Sequence, residues 1–441
     1  MDFEVVARCS TTRARVSRMK LTHTTTMLPT FMPVATQAVI KGLTPLQVTT
    51  IFPSSSQEKR EEVDPSISLI LNNTYHLDLR PGTEILDLYG GSHNFQGWSN
   101  NLLTGNFISW NTKDSGGFQM VSLVALSKVT EEGVEFSSPY DPTHLTLLSP
   151  EKSMETQHSI GADIMMQLDD VVASLTTGER VEEAMWRSVR WLDRCIAFHK
   201  ASGKEKTQNL FAIIQGGLDE RLRDICLTEM LKRSPSLPGY AIGGLSGGEA
   251  KDTFWRIVEM CAKRLPPEKP RYCMGIGYGE DILVCVALGV DMADCVFPTR
   301  TARFGIAFTP HGPLNLRLAR YSKDFSVIDP SCPCPTCESG EGVTRAYLYS
   351  LSGKETVGAH YVTQHNLAYM ATLMARTRAA ILEDRFPSFL KEYFRSYYHE
   401  AKNYPRWAVD ALRSVGVDLL EGESVGVESL GESNGVKWDF A

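Results

Sequence analysis

No apolar run in the 441-residue chain reaches the roughly 18 residues that a membrane-spanning helix needs, so no membrane span is expected. No GxxxxGK(S/T) loop occurs, and GIGYGE (275–280) departs from GxGxxG, which excludes the common phosphate-cradling turns. Positive charge is not in excess either. Lys and Arg number 45 against 52 Asp and Glu, a net −7 that argues against sequence-independent nucleic-acid binding over the whole surface. Cysteine is thin for this length: ten are present and most are scattered singly, which excludes a disulfide framework and points to a reducing compartment.

What remains is ample core and one basic stretch. Hydrophobic residues make up 42% of the chain, enough for one large core or two medium ones. Between Cys295 and Lys323 lie Arg300, Arg303, Arg317, Arg320 and Lys323 with no Asp or Glu, so an acidic protein can still carry one basic face. Arg8, Arg13, Arg15, Arg18 and Lys20 lie among Ser and Thr like a transit peptide, although Asp2 and Glu4 count against one. Residues 1–27 are expected to be a poorly ordered extension, residues 53–66 a polar surface loop, and residues 421–441 an acidic, Gly/Ser-rich flexible tail.

The middle of the chain repeats short apolar runs that end in polar or glycine residues, each followed by a helical stretch. The runs are SLILNNTYH (68–76), IMMQLDD (164–170), LFAIIQGG (210–217), YAIGGLSGGE (240–249), RYCMGIG (271–277) and VDMADCVFP (290–298). Continuous apolar runs suit strands buried on both faces of a parallel sheet. In RVEEAMWRSVRWLDRCIAF, Val181, Ala184, Met185, Val189, Leu192 and Ile196 mark one helical face. The pattern predicts an α/β fold, a (β/α)8 TIM barrel, with a doubly wound sheet as the alternative. In a barrel the ends of these strands meet at one mouth, bringing together Asp169, Asp170, Gln215 to Gly217, Gly243, Gly244 and Asp294.

CPCPTC puts Cys332, Cys334 and Cys337 within six residues, the thiol side of a tetrahedral zinc site. His365 in TQHNLAYM, opening a helix, is the expected fourth ligand, with His360 as the alternative. A closed Cys3His site is structural, not catalytic, and would pin residues 330–366 as an inserted zinc-binding subdomain. The competing reading is a trio of redox or structural thiols.

DCVFPTRTAR (294–303) taken alone fits an ordinary strand end followed by a solvated turn. Beside NNTYHLDLRPG, DSGGFQ, QGG, GGLSGGE, CxCxxC and a downstream His, it resembles the tRNA-guanine transglycosylase family, from about residue 28 to 417 and in particular its eukaryotic catalytic subunits. The resemblance implies a barrel over 28–329, the zinc subdomain, and C-terminal helices over 367–420 completing the barrel. It implies exchange of the wobble guanine of GUN-anticodon tRNAs for queuine, with Asp294 as nucleophile and Asp114 as general acid/base. Ser115, Gly116, Gly117, Phe118, Asp169, Gln215, Gly244, Leu245 and Met274 would hold the base. Gly275, Ile276, Gly277, Tyr278, Gly279, Glu280 and Asp281 would contact RNA, as would Thr299, Arg300, Thr301, Ala302 and Arg303. Structural Zn2+, a tRNA anticodon stem-loop, a noncatalytic homologous subunit in a heterodimer, and a cytoplasmic location, extending to the mitochondrial outer membrane surface, are implied with it.

The chemistry asks for these residue types on its own terms. Breaking an N-glycosidic bond builds oxocarbenium character that a carboxylate can capture, and a second acid/base group must serve the leaving and entering bases. A base leaving its stack is easier to extract from a loop than from a duplex, and arginines at the rim can grip the phosphates around it. Val171 and Gly247 depart from the bacterial pattern, which has Cys and Val there, and the missing side chain at Gly247 leaves room for the cyclopentenediol arm of queuine. GNFISWNTK separates Leu102–Thr104 from Asp114, so either NLLT or FISW is the strand before it. A noncatalytic partner subunit of the same family would lack the two aspartates, and a barrel aldolase would need a Schiff-base lysine at a strand end.

Overall fold

The first ordered segment is one the sequence reading missed. In the computed structural model, which describes residues 1–52, 61–105, 128–137, 145–338 and 342–430, the expected poorly ordered extension is an antiparallel sheet of β1 (Asp2–Arg8), β2 (Arg15–Lys20) and β3 (Thr25–Leu28). Arg13, Arg15 and Arg18 are paired with carboxylates. Arg15 donates to both carboxylate oxygens of Asp291 at 2.8 and 2.6 Å, and Arg18 reaches Glu4 at 3.2 Å and Glu62 at 3.3 Å. Met19 and Leu28, fully buried, join the cluster that fills the barrel, so this sheet plugs the barrel's amino end.

Eight parallel strands follow: β4 (Thr30–Pro33), β5 (Leu69–Asn73), β6 (Asn101–Gly105), then, after a small antiparallel sheet of β7 (Lys128–Val129), β8 (Val134–Ser137) and β9 (Leu145–Leu148), β10 (Ile164–Met166), β11 (Asn209–Ile214), β12 (Gly239–Ile242), β13 (Arg271–Cys273) and β14 (Met292–Cys295). They pair in chain order, β14 pairs with β4, and a parallel bridge from Val34 to Leu71 brings β4 to β5 and closes the ring. The (β/α)8 expectation holds. All six predicted runs contain a barrel strand; β4 and β6 are the two that were not among them. NLLT forms a barrel strand, with Leu103 and Thr104 paired to Ile164 and Met165, while FISW and Asp114 lie outside the described residues.

The barrel is filled, not hollow. Met32, Leu69, Leu71, Leu103, Met166, Phe211, Ile213, Tyr272 and Met292 point inward with almost no exposure. Around it the helix Glu179–Ser202 buries the predicted Val181, Ala184, Met185, Val189 and Leu192, with Ile196 half-buried. At the tail, Leu430 is buried after a short turn at Val427–Ser429, and residues 431–441 lie outside the described residues. Of the loop at 53–66, residues 53–60 also lie outside; Glu62 and Asp64 lend carbonyls to the Arg378 guanidinium at 2.6 Å each.

At the foot of the barrel His23, His93 and Asp163 meet, with His23 Nδ1 at 2.8 Å and His93 Nε2 at 3.3 Å from the carboxylate. Their ligand atoms lie within 4.8 Å of one another, close enough to chelate. The imidazoles, however, are stacked at 3.6 Å and 15°, and one cation cannot lie in both ring planes at bonding distance. The group is a clamp. Burial opposes ionisation of Asp163, but hydrogen bonds from His93, His23 and the Leu102 amide hold its carboxyl below the ordinary range. The clamp ties the turn between β2 and β3 to the start of β10.

Arg15 and Asp291 are both buried, and Asp291 also accepts the Arg271 amide at 2.8 Å. Removing one member leaves an uncompensated buried charge. Asp291→Ala is expected to lower unfolding free energy by about 3–5 kcal/mol in a denaturant titration, whereas an untied N-terminal sheet would lose nothing measurable.

Candidate active site

Every residue of the mouth comes from a strand's carboxyl end or the loop that follows it. Asp294 is the third residue of β14 and 6% exposed. Its Oδ1 accepts the Tyr272 hydroxyl at 2.5 Å and the Gly275 amide at 2.8 Å, and among the described residues no hydrogen bond falls on Oδ2. Burial pushes the Asp294 carboxyl up, and the two donors pull against it without cancelling the rise. One oxygen is held and the other is left for chemistry. Tyr272 was not singled out from the sequence, although in RYCMGIG it shares the inward face with Met274, two residues on, which is the signal that could have found it.

Three and four strands round the barrel from Asp294, Gln215 Nε2 donates to Asp169 Oδ2 at 2.6 Å. The neighbouring acid behaves differently. Asp170 is bound by Arg180 at 2.6 and 2.8 Å and by Arg187 at 2.5 Å, so it is neutralised in an ion-pair network. Asp169 has no such cation, and burial pushes its carboxyl up to about 7, against the Gln215 hydrogen bond. Gly244, at φ 68°, has no room for a side chain: a Cβ there would fall 2.5 Å from Gln215 Oε1. Behind this loop Arg223, wholly buried and also missed from the sequence, donates to the carbonyls of Ile214 and Gly217 at 2.8 Å each. Leu245 is partly buried against the core and Met274 lies beside Gly243. Asp169, Gln215, Gly244, Leu245, Met274 and Asp294 therefore share one mouth, as expected. Asp114, Ser115, Gly116, Gly117 and Phe118 lie outside the described residues.

The expected RNA-contacting residues divide. Ile276, Glu280 and Asp281 are buried; Asp281 pairs with Lys251, and Glu280 accepts from the Tyr398 hydroxyl at 3.3 Å. Glu280 and Asp281 begin the helix Gly279–Ala287 and face inward, so their side chains are not surface contacts. Thr299, Thr301 and Ala302 are buried in the helix Phe297–Arg303, with both threonine hydroxyls spent on backbone carbonyls. The cations do reach solvent. Arg303, Arg317, Arg320 and Lys323 are exposed, Arg300 is half-buried, and among the described residues no ion pair joins the exposed four.

Cys332, Cys334, Cys337 and His365 converge, with ligand atoms all within 4.8 Å, and this set could hold a metal ion. His365 sits in the third turn of the helix Thr356–Leu382 and does not open it. Its Nε2 donates to the Phe308 carbonyl at 2.7 Å, which leaves Nδ1, 3.2 Å from Cys337 Sγ, as the ligand atom. The alternative, His360, bonds the Gly42 carbonyl instead at 2.5 Å. The next residue carries the metal centre's rigidity toward the mouth: buried Asn366 donates to the carbonyls of Pro298 and Ile306 at 3.1 and 3.0 Å and accepts the Phe308 amide at 2.9 Å.

Because the folded Asp169 titrates near 7 and an unfolded one near 3.8, the native state holds an extra proton between those values. Its contribution to stability is whole below about 4 and is lost as pH rises to about 7. Asp169→Asn is therefore expected to gain on the wild type by a few kcal/mol across that window and by no more above it; parallel melting curves from pH 4 to 9 would contradict the assignment.

A family model described as queuine tRNA-ribosyltransferase matches residues 9–399. The queuine tRNA-ribosyltransferase catalytic subunit of Schizosaccharomyces pombe is 54% identical over 95% of this chain and 98% of its own length. That of Caenorhabditis elegans is 44% identical over 95% of this chain and 100% of its own. The queuine tRNA-ribosyltransferase of Shouchella clausii is 39% identical over 91% and 98%. With a filled eight-stranded barrel, a buried aspartate at the end of its last strand and a Cys3His cluster beside it, the chain belongs to the queuine tRNA-ribosyltransferase family.

Proposed function

We propose that this chain is the catalytic subunit of a tRNA-guanine transglycosylase, replacing the wobble guanine of GUN-anticodon tRNAs with queuine. The observation that carries the reading is the one-sided hold on Asp294, whose Oδ1 is fixed by Tyr272 and Gly275. Asp294 Oδ2 attacks ribose C1′ and the C1′–N9 bond of guanine breaks, N9 taking a proton from Asp114. Queuine N9 then gives its proton to Asp114 and attacks C1′, and the ester bond to Asp294 opens. Two displacements return the original configuration, and no bond of the RNA backbone breaks.

Asp169, Gln215 and the backbone at Gly244 and Leu245 read the base edge, while Met274 and Phe118 cover its faces. Ser115, Gly116 and Gly117 help hold the base. Arg300 and Arg303 grip the RNA at the rim, and Arg317, Arg320 and Lys323, which join no ion pair among the described residues, extend the grip in a chain that is acidic overall. Zinc is the metal that suits three thiolates and an imidazole, and its role is to hold the helix from which Asn366 braces the Pro298–Phe308 segment. A noncatalytic homologous subunit completes a heterodimer in the cytoplasm. No helix among the described residues is long and apolar enough to cross a membrane. The reading as a noncatalytic subunit is not favoured, since Asp294 is present and the eukaryotic relatives named above are catalytic subunits.

Asp294→Ala is expected to abolish exchange of radiolabelled base into tRNA and to prevent trapping of a covalent RNA adduct, with fold and zinc content unchanged; turnover at the wild-type rate would refute the mechanism. Tyr272→Phe removes one donor to a charged oxygen, worth about 1.5–3 kcal/mol, so kcat should fall by roughly 10- to 100-fold. It also lets burial raise the Asp294 carboxyl further, so the acidic limb of the pH–rate profile should move to higher pH. An unmoved limb would mean that Tyr272 only packs.

A further inference from the structure

Arg223 sits in the first turn of the helix Glu220–Lys232, which follows β11, and is wholly buried. Among the described residues no carboxylate pairs with it, and burial pulls its pKa below the ordinary guanidinium value. A buried charge without a counter-ion is costly, so its place needs a reason. The reason lies in what the guanidinium holds. Nε donates to the Gly217 carbonyl and Nη1 to the Ile214 carbonyl, at 2.8 Å each, and these two carbonyls precede and follow Gln215. Three residues on, Cys226 Sγ accepts the Gln215 amide at 3.3 Å. A Cβ on Gly216 would lie 2.8 Å from the Arg223 amide nitrogen, so the loop is pressed onto the helix start. The third nitrogen, Nη2, has no partner among the described residues, and a Cβ on Gly244 would lie 3.4 Å from it, which puts it beneath the loop after β12.

The backbone on both sides of Gln215 is thus tied to one planar group, and the Gln215 side chain, whose Nε2 reaches Asp169 Oδ2 at 2.6 Å, is aimed from that fixed backbone. Arginine suits the task because its fork presents two donors at a fixed spacing, which a lysine ammonium on a flexible stem does not. Its charge strengthens both bonds, and a carboxylate partner would draw the fork away from the carbonyls. We propose that Arg223 is a positioning residue for base recognition, which holds Gln215 at the edge of the base without touching substrate itself. The inference rests on the reading in which Gln215 hydrogen-bonds the base. It adds the group behind that contact, which no local pattern in the sequence marks.

The test uses zinc-loaded full-length protein, with any companion subunit it requires, at a temperature where every variant is folded. It measures kcat and KM for radiolabelled guanine and for tRNA in Arg223→Lys, Gln215→Ala and the double variant. Arg223→Lys keeps the charge and loses the fork, and is expected to raise KM for the base about 10-fold, the loss of one hydrogen bond, with kcat and KM for tRNA within about twofold. Gln215→Ala should do the same. The double variant should lose little more than Gln215→Ala alone, because Arg223 acts through Gln215. A residue that only packs would give additive losses or raise both KM values together, and either result, or an unchanged base KM in Arg223→Lys, overturns the inference. Should Arg223→Lys not fold, Arg223→Met, which removes the buried charge and keeps the bulk, takes its place in the same cycle; failure of both to fold makes Arg223 a framework residue and also overturns it. If Gln215→Ala leaves the base KM unchanged, the reading of the base edge fails and this inference falls with it.

Discussion

The hydrogen bond from Tyr272 to Asp294, made inside a closed barrel, is the constraint on which the site depends. A carboxylate at the end of a buried strand would drift toward its neutral form if burial acted alone. The tyrosine hydroxyl and the Gly275 amide oppose that drift from one side only. They fix the Asp294 carboxyl group without spending both of its oxygens. For this to work β13 and β14 must be in register and the ring must close beside them, which the pairing of Asp294 with Met32 on β4 accomplishes.

The two ends of the barrel are built on opposite principles. At the foot, polar groups are given partners: the Arg15–Asp291 ion pair and the contacts of His23 and His93 with Asp163 fasten an N-terminal sheet over the interior. At the mouth, groups are left short of partners. Among the described residues Asp169 lacks the cations its neighbour Asp170 enjoys, Ser174 has no hydrogen bond, and Arg303, Arg317 and Arg320 pair with no carboxylate. Unsatisfied groups cost stability and belong where a ligand can complete them. The metal cluster stands between these regimes, closed in itself while Asn366 passes its rigidity to the helix that follows Asp294.

Much of this was legible in the linear chain. Continuous apolar runs ending in Asp169, Gln215 and Asp294 predicted strands buried on both faces, and each formed one. CPCPTC with a later histidine predicted the cluster that forms. β4 escaped because TFMP is short and carries little periodicity, whereas NLLT, which forms β6, was already one of two candidates for its strand. The N-terminal sheet escaped because its arginines read as a solvated segment until their carboxylates, more than 200 residues away for Arg15, come into contact. Glu280 and Asp281 fell within a segment expected to touch RNA, yet a helix start turned both carboxylates inward.

Residue type and spacing by themselves determined the strand and helix periods, the strand-end carboxylates and the metal ligands, because these are local patterns set by backbone geometry and by the donor chemistry of each side chain. Tertiary structure alone decided which oxygen of Asp294 is held, which of two adjacent aspartates is neutralised, and what holds Gln215. Those are questions of which atoms from distant segments lie within about 3 Å of one another, and register, closure and burial settle them only after the chain has folded.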